Sequence, residues 1–287
     1  MTLNATGAAE PAPRLSSSPS GAARAASEAR VTMTGITKRF GGVEALRGVD
    51  LALYPGECLG LVGDNAAGKS TLTKILAGAY VPDSGRITLD GGAVNFLTPS
   101  DARRHRIEMV YQDLSLCDTI DVAGNLFLGR EPTNGPFLKR RRMRDEARRM
   151  LDKLEIKIPD LDLFVAQLSG GQRQAIAICR AAAFDPQVLI MDEPTSALAV
   201  AEVEAVLALI NRVKARGVSV VLVTHRLQDL FRVCDRIAVM YEGLKIAERR
   251  TAETDLQELV ELIVGKGHLA KRHGGETEVS SARGAAQ

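Results

Sequence analysis

The sequence predicts an α/β fold built on one buried parallel sheet, and three observations support this prediction. Strand-like and helix-like segments alternate from residue 30 to residue 267 with short connections. The segments 187–191 and 218–223 are largely apolar runs, as expected for strands that are covered on both faces. A glycine-rich loop joins a further apolar run, at 57–62, to a helical segment. Together these features favour a single α/β unit over two separate domains.

The remaining predicted elements follow from local pattern. Strands joined by turns that contain glycine are predicted at 31–40, 43–54 and 85–94, which suggests an antiparallel unit beside the main sheet. A helix is predicted at 70–77, directly after the glycine-rich loop. From 120 to about 183 the pattern is mostly helical, with a break at 131–136 that no helix or strand would tolerate internally.

The C-terminal part of the unit is predicted to contain an amphipathic helix, a hairpin and a closing helix. These elements cover 201–216, 237–241 with 244–248, and 256–264. The apolar face of the first helix consists of Val203, Val206, Leu207, Ile210 and Val213.

Composition indicates a globular chain and excludes some classes of protein. Of 287 residues 45% are hydrophobic, which is ample for a packed core. The net charge of +2 gives no reason to expect a nucleic-acid-binding protein. No run of about 18 apolar residues is present, so no segment is expected to span a bilayer. The four cysteines lack the spacing of a zinc site or a disulfide framework, which predicts reduced thiols.

The two ends of the chain are predicted to be disordered tails. Residues 1–29 are dominated by Ala, Ser, Pro and Gly, and residues 268–287 are similarly polar and rich in Gly and Ala. The first tail has few acidic residues, as organellar transit peptides do, but Glu10, Glu28 and the lack of apolar amphipathy favour a plain tail. The ordered unit would therefore cover 30–267, with a helical part at about 113–183.

The glycine-rich loop is the most informative stretch of the chain. It consists of Gly63, Asp64, Asn65, Ala66, Ala67, Gly68, Lys69 and Ser70, with Thr71 next in the helix. Backbone N–H groups in such a loop converge on phosphate oxygens at the positive end of the helix. Lys69 would bridge the outer phosphates of a nucleotide, and Ser70 would hold Mg²⁺. The alternative is a glycine-rich turn that only links strand to helix.

Two acids follow the strand at 187–191. Asp192 and Glu193 would lie at the carboxyl edge of the parallel sheet, where α/β proteins commonly bind ligands. Asp192 would organise hydrated Mg²⁺, and Glu193 would polarise a water for attack on a γ-phosphate. Alternatively, the acids form a charge pair that complements the dipole of a helix.

A second glycine-containing segment precedes a strong helix former at 175–183. Its residues are Leu168, Ser169, Gly170, Gly171, Gln172, Arg173 and Gln174. The segment resembles the signature motif of ATP-binding cassette proteins, in which a serine, two glycines and a helix N-terminus form a second phosphate cradle. In isolation it would also fit an N-cap serine followed by flexible glycines.

Three further residues resemble motifs of the same family, in the same order along the chain. Gln112 resembles the glutamine that senses Mg²⁺ and the attacking water. His225 resembles the switch histidine that contacts the γ-phosphate, although a histidine at a strand end is also commonly structural. Phe40 resembles the aromatic residue that stacks on adenine, and a core phenylalanine is the competing interpretation. The resemblance covers residues 30 to about 265.

The resemblance implies a P-loop NTPase fold of the RecA-like type, with an antiparallel β subdomain and a helical subdomain. It also implies ATP hydrolysis with Mg²⁺, in which two cassettes hold two ATP molecules head to tail. Ser169, Gly170 and Gly171 of one copy would complete the site that contains Lys69 and Glu193 of the other. Because the chain carries one set of motifs, we expect a homodimer, or a heterodimer with a second cassette.

Two residues depart from the family pattern. Ala66 occupies a loop position that is usually glycine, and a Cβ is tolerated there only where the backbone does not need a positive φ. Ala199 stands where the loop after the two acids generally carries an aspartate that contacts the partner cassette. We expect the first to affect activity and the second to affect coupling between subunits.

The segments 125–131 and 195–203 resemble the ribose, xylose and fructose group of bacterial sugar importers, in its single-cassette branch. The resemblance implies an energising subunit on the cytoplasmic face of the inner membrane. Its partners would be multi-spanning permease subunits and, indirectly, an extracytoplasmic solute-binding protein. The alternatives are a soluble cassette regulator that works without a permease, an importer of another solute such as a nucleoside, and a nucleotide kinase-like enzyme.

Two surface features have open interpretations. The basic run 139–149 could contact anionic lipid or nucleic acid, but interspersed acids favour a solvated helical face. The surface at 112–127 could receive a helix of the permease by analogy with the family. Its apolar groups, Leu114, Leu116, Ile120 and Phe127, could equally belong to the core of the helical part.

Overall fold

Two β-sheets organise residues 29–264, the part of the chain that the computed structural model describes. The larger sheet contains β3 (Cys58–Gly63), β6 (Ile107–Val110), β9 (Val188–Asp192), β10 (Ser219–Val223), β11 (Arg236–Tyr241) and β12 (Leu244–Arg250). Its strand order is β12-β11-β3-β10-β9-β6. All neighbours pair in parallel except β12, which returns antiparallel to β11 through a hairpin. The predicted parallel sheet is therefore confirmed.

The smaller sheet is antiparallel and confirms the unit predicted beside the main sheet. It contains β1 (Val31–Phe40), β2 (Val43–Leu53), β4 (Ser84–Leu89) and β5 (Gly92–Val94), in the order β2-β1-β4-β5. The segment 85–94, predicted as one strand, is a hairpin instead. Asp90 adopts a φ of 47° and Gly91 a φ of 80°, so the chain reverses there because this pair accepts the left-handed conformation that tight turns require.

Helices cover both faces of the larger sheet. They are α1 (Lys69–Leu76), α2 (Pro99–Arg104), α3 (Val122–Phe127), α4 (Arg140–Lys153), α5 (Gly170–Ala182), α6 (Val200–Ala215), α7 (Leu227–Val233) and α8 (256–264). The five apolar residues predicted to form one face of α6 are all buried. None of the helices within residues 29–264 has the length and apolar character needed to cross a bilayer.

The larger sheet separates two hydrophobic cores. Along β3, Cys58 and Val62 belong to the core shared with helices α3 to α7. Leu59 and Leu61 point to the other face, where the core includes α1 and the smaller sheet. This alternation follows from the period of two in a strand, and it explains why β3 is apolar throughout.

The segment 131–136 departs from the predicted break. Within it and just beyond it, β7 (Thr133–Asn134) and β8 (Phe137–Leu138) form a short antiparallel hairpin. Gly135, with a φ of 58°, makes the turn together with Pro136, so the residues that prevent a helix here permit a hairpin. The predicted tails lie almost wholly outside the described residues; Ala29, assigned to the first tail, is buried.

The basic run lies on an exposed face of α4, as the solvated-face interpretation predicts. Met143, Ala147 and Leu151 form the buried face of α4, and the arginines point outward. Arg142 Nε lies 2.7 Å from Glu146 Oε1, and Arg144 pairs with Asp162. The arginines are thus partly neutralised on the helix surface.

A buried asparagine organises the loop that precedes α3. Asn125 is fully buried, and its side-chain oxygen accepts a hydrogen bond of 2.8 Å from the Cys117 backbone N–H. Its amide nitrogen donates to the carbonyl oxygens of Cys117 at 2.9 Å and Ile120 at 3.0 Å. One side chain therefore fixes the course of the chain between Gln112 and the helical part.

We expect Asn125→Ala to lower the free energy of unfolding by about 2 to 3 kcal/mol, because it leaves buried backbone groups without partners. Urea denaturation of the purified chain measures this loss. Asn134→Ala, at an exposed position in β7, is the matched control and should change stability by less than about 0.5 kcal/mol. Equal effects of the two substitutions would contradict this role for Asn125.

Candidate nucleotide-binding site

The glycine-rich loop lies between β3 and α1, at the carboxyl edge of the larger sheet. Its two outer glycines are required by close backbone approaches. A Cβ at Gly63 would lie 2.0 Å from the carbonyl oxygen of Met240, and one at Gly68 would lie 2.6 Å from that of Ala45. The loop therefore packs closely against β11 and β2. This packing holds its N–H groups in place for an anion at the start of α1.

Hydrogen bonds from the β11–β12 turn fix the loop further. Gly243 N–H donates to the Ala67 carbonyl at 3.1 Å, and Arg47 N–H donates to the Gly243 carbonyl at 2.9 Å. A cavity of about 620 Å³ opens above the loop. Its lining consists of Asn65, Ala66, Ala67, Gly68, Lys69, Ser70 and Thr71, together with Val43, Glu44, Ala45, Arg47 and Glu242. The last five were not predicted, because β2 and the hairpin are distant from the loop in sequence.

Lys69 lies at the mouth of this loop. Its Nζ donates to the carbonyl oxygens of Gly63 at 2.8 Å and Asp64 at 2.9 Å. Burial lowers the pKa of Lys69, and the nearby carboxylates of Glu193 and Asp192 oppose that shift. The ammonium group thus faces both acids across the mouth of the loop.

Asp192 and Ser70 form an oxygen-rich pair beside Lys69. Burial and the charge of Glu193 raise the pKa of the Asp192 carboxyl, and the nearby Ser70 hydroxyl is among the groups that oppose this shift. Hydroxyl and carboxylate oxygens are the ligands that Mg²⁺ prefers. Within residues 29–264 no cluster of three His, Cys, Asp or Glu side chains could hold a metal ion. The residues present therefore fit a cation whose other ligands are phosphate oxygens and water.

Glu193 has an unusual backbone and an unsatisfied side chain. It adopts a φ of 53°, and its N–H donates to the Val223 carbonyl at 2.9 Å, which links the ends of β9 and β10. Its Oε2 is buried and accepts no hydrogen bond from the described residues. His225 Nδ1 approaches this oxygen at 2.8 Å, which is ion-pair distance, but without the alignment of a hydrogen bond. A strained acid with a free oxygen beside an exposed imidazole is typical of a reacting centre.

Buried polar residues that the motifs did not indicate support the loop after Glu193. The Thr195 hydroxyl donates to Asp229 Oδ2 at 2.7 Å, and both side chains are buried. Arg226 Nε lies 3.4 Å from the same oxygen. This cluster ties the loop after β9 to α7 and so positions Glu193 and His225 relative to each other.

Gln112 and Phe40 lie at the margins of this site. Gln112 is exposed and follows β6, whose Val110 pairs with Met191, so it lies at the same sheet edge as Asp192. Phe40 is 43% exposed and therefore is not a core residue. Its ring packs edge-on against Tyr80 at 5.2 Å between centroids. Phe40 is not among the residues that line the cavity above the loop.

The second glycine-containing segment lies apart from the first within one chain. Ser169 is the N-cap of α5: its hydroxyl accepts from Gln172 N–H at 3.3 Å, and Gln172 Oε1 accepts from Ser169 N–H at 3.0 Å. Ser169, Gly171 and Gln172 line a separate cavity of about 380 Å³, and Gly170 begins α5. Ser169 thus caps α5, as the alternative interpretation of this segment held, and its role in a phosphate cradle stays a prediction.

Ala66 is strained. Its φ of 67° places it in the left-handed region, so the condition under which a Cβ would be tolerated without strain is not met. A non-glycine residue in this region costs roughly 1–2 kcal/mol. The loop between β3 and α1 forms although Ala66 is strained.

We expect Ala66→Gly to raise the free energy of unfolding by about 0.5 to 1 kcal/mol, since strain relief exceeds the extra backbone entropy of glycine. Thermal unfolding of the nucleotide-free chain measures this gain. Ala175→Gly, in the middle of α5, is the opposite control and should destabilise by about 1 kcal/mol. A destabilising Ala66→Gly would contradict the strain.

Comparisons with known proteins agree with this geometry. Residues 46–196 match the family model described as ABC transporter. The chain is 42% identical to the xylose/arabinose import ATP-binding protein of Sulfolobus acidocaldarius, over 83% of this chain and 96% of that protein. It is also 42% identical to a ribose import ATP-binding protein of Rubrobacter xylanophilus, over 82% of this chain but only 48% of that protein. The chain thus spans about half the length of this second relative.

A solved structure shows the same fold. The dimeric structure of a bacterial ABC transporter cassette superimposes with a TM-score of 0.66 at 25% identity, over 77% of this chain and 98% of that one. The matched range includes the phosphate loop, the serine-glycine segment and both acids. The chain therefore belongs to the ABC transporter family, as an ATP-binding cassette of the kind that couples ATP hydrolysis to transport.

Proposed function

We propose that this chain is the ATP-hydrolysing, energy-coupling subunit of an importer for a monosaccharide of the ribose, xylose or fructose type. The observation that carries the ATPase assignment is the free, buried Oε2 of Glu193 at 2.8 Å from His225, beside the Lys69 loop. The sugar class is supported by the names of relatives that match over more than four fifths of this chain.

ATP binds in the cavity above the phosphate loop. Backbone N–H groups from Asn65 to Thr71 surround the outer phosphates, and Lys69 leaves its two carbonyl partners to bridge them. Phe40, beside Tyr80 at the end of β1, stacks on the adenine. Ser70, Asp192 and Gln112 would hold Mg²⁺, which would supply positive charge to neutralise the phosphates.

Glu193 acts as the base. Its free Oε2 accepts a hydrogen bond from the attacking water and takes a proton from it. The water oxygen bonds to the γ-phosphorus while the bond from that phosphorus to the bridging oxygen breaks, and ADP leaves with the bridging oxygen. His225 holds the carboxylate from one side and contacts the γ-phosphate from the other. The hydrogen bond between Glu193 N–H and the Val223 carbonyl keeps Glu193 and His225 at a fixed spacing. Positioning of this kind supplies most of the catalysis in phosphoryl transfer.

A single copy has only part of each site. The segment Ser169, Gly170, Gly171 and Gln172 lines a different cavity from the phosphate loop, so it cannot complete its own site. A second copy, placed head to tail, would bring its α5 N-terminus to the γ-phosphate. A homodimer is the simplest arrangement, and a second cassette chain would serve equally.

The permease contacts a cleft between β6 and the helical part. This cleft has a volume of about 320 Å³ and is lined by Tyr111, Leu126, Leu128, Arg130, Arg180 and Phe184, among others. Of the groups suggested for this purpose from the sequence, Phe127 is buried in the core, and Leu114 and Leu116 pack against it. Through this contact the chain is held on the cytoplasmic face of the inner membrane.

Co-expression with the permease encoded by neighbouring genes tests the proposal. The chain should copurify with it, and in proteoliposomes a sugar-loaded solute-binding protein should stimulate phosphate release. Ribose, xylose, fructose and a nucleoside are compared as solutes. ATP hydrolysis without any permease association would favour a soluble regulator, and transfer of phosphate to a second substrate would favour a kinase; either would overturn the importer. Stimulation by the nucleoside alone would overturn the sugar class.

A further inference from the structure

A carboxylate of the same chain occupies the second phosphate cradle. Glu202, in the first turn of α6, accepts a hydrogen bond from Gly171 N–H through Oε1 at 3.0 Å. Its Oε2 accepts from Ala199 N–H at 3.2 Å. The Ser169 hydroxyl also lowers the pKa of this carboxyl, and the two residues line the same cavity. One anion therefore accepts from a backbone donor of the segment that would receive the γ-phosphate of a partner cassette, in the cavity that the serine of that segment also lines.

Close packing holds Glu202 against this segment. A Cβ on Gly171 would lie 2.8 Å from both Cβ and Cγ of Glu202, so the stem of the side chain rests directly on the glycine. The Gly171 N–H, the Ser169 hydroxyl and the Ala199 N–H lower the pKa of the Glu202 carboxyl, and the group is charged at neutral pH. The charge thus lies at the positive end of α5, where an incoming phosphate would also be stabilised.

Capping of α6 explains only half of this arrangement. The N-cap residue is Ala199, which has no side-chain acceptor, and Glu202 at the third helical position reaches back to its N–H. The contact of the other oxygen with Gly171, on a different helix, adds nothing to that cap. It joins the loop after the two acids to the serine-glycine segment through one charged group.

We infer that Glu202 is a positioning residue that competes with the partner-bound γ-phosphate for Gly171 N–H and the Ser169 hydroxyl, and thereby sets the ATP concentration at which two cassettes close. The inference rests on the proposed function. A backbone N–H makes one strong hydrogen bond, and two anions cannot share it without strong repulsion. Closure therefore requires the carboxylate to turn away from Gly171 while Oε2 can remain on Ala199.

The variant Glu202→Gln tests this competition. The amide oxygen can still accept from either N–H, but the charge is removed. We expect the KM for ATP to fall by about three- to tenfold, with kcat changed by less than about twofold. In a Glu193→Gln background, the ATP concentration for half-maximal dimer formation, measured by light scattering, should fall by the same factor. A residue that only stabilises the helix would instead leave KM unchanged or raise it.

Glu204→Gln is the matched control. It removes the same charge from the same helix, where Glu204 pairs with Arg232 away from α5. It should leave unchanged both the KM for ATP and the ATP concentration for half-maximal dimer formation. Glu202→Ala should shift KM in the same direction as Glu202→Gln, and thermal unfolding reports whether its lost cap affects the fold. An unchanged or raised KM in Glu202→Gln, with a wild type that hydrolyses ATP and dimerises, overturns this inference alone. A wild type that does neither overturns the proposed function as well.

Discussion

Replacing Glu193 with glutamine should lower the kcat for ATP hydrolysis by about 10²- to 10⁴-fold while ATP remains bound. The amide has nearly the same shape as the carboxylate, so the loop between β9 and α6 should keep its course. It cannot take a proton from water, and the free oxygen that lies 2.8 Å from His225 in the native chain loses its charge. ATP hydrolysis should therefore be blocked, whereas the residues proposed to bind the phosphates are unchanged.

The blocked enzyme should accumulate as an ATP-bound dimer. Hydrolysis would normally release the contact between two cassettes, so its loss prolongs the closed state. Phosphate release, ATP titration by fluorescence, and size-exclusion chromatography with and without ATP separate these effects. Glu204→Gln, on the exposed face of α6, is the control for a loss of one carboxylate. Undiminished turnover in Glu193→Gln would remove Glu193 from the mechanism and leave the free oxygen unexplained.

Replacement of Asp192 should give a different kinetic defect from replacement of Glu193. Asp192 lies near Ser70, whereas Oε2 of Glu193 lies 2.8 Å from Nδ1 of His225. The loss of ATP hydrolysis caused by replacing Asp192 should therefore depend on the Mg²⁺ concentration. The loss caused by Glu193→Gln should not. This contrast separates the proposed cation-binding role of Asp192 from the proposed role of Glu193 as the base.

The phosphate loop could be predicted from sequence because its geometry is local. Gly63, Gly68 and Lys69 lie within seven residues, between a strand and a helix whose patterns are both clear. The strand β9 could be predicted for the same reason, because the apolar run and the two acids that follow it are adjacent in sequence. Register within the parallel sheet then brings Asp192 beside the loop, as the strand ends share one edge.

The contacts that complete the site depend on distant pairs and were not predicted. Gly171 and Glu202 are separated by 31 residues, and Thr195 and Asp229 by 34. Nothing in the local pattern around Glu202 indicates its role, because the residue at the N-cap is alanine and the usual capping pattern is missing. The pairing of β6 with β9 is likewise a property of the sheet. Such contacts are decided by packing rather than by propensity.

Replacing Lys69 with alanine should weaken ATP binding by about 10- to 150-fold, because a charge-assisted hydrogen bond to a phosphate contributes roughly 1.5 to 3 kcal/mol. The ammonium group donates to the Gly63 and Asp64 carbonyls, so its loss also frees two loop carbonyls. Both are near solvent at the mouth of the loop and can bond to water. We therefore expect the free energy of unfolding to change by less than about 1 kcal/mol, whereas ATP affinity changes strongly.

The separation of affinity from stability is the decisive feature of the Lys69→Ala variant. Fluorescence titration with ATP and with adenosine measures the contribution of the phosphates, and affinity for adenosine should be unchanged because Lys69 does not contact Phe40 or Tyr80. Lys153→Ala, at an exposed position in the last turn of α4, removes the same charge and should leave ATP affinity unchanged. An equal loss in both variants would indicate long-range electrostatics, and unchanged affinity in Lys69→Ala would contradict a phosphate-binding loop. A loss specific to Lys69 and to phosphate-bearing ligands identifies the ammonium group as a direct phosphate contact.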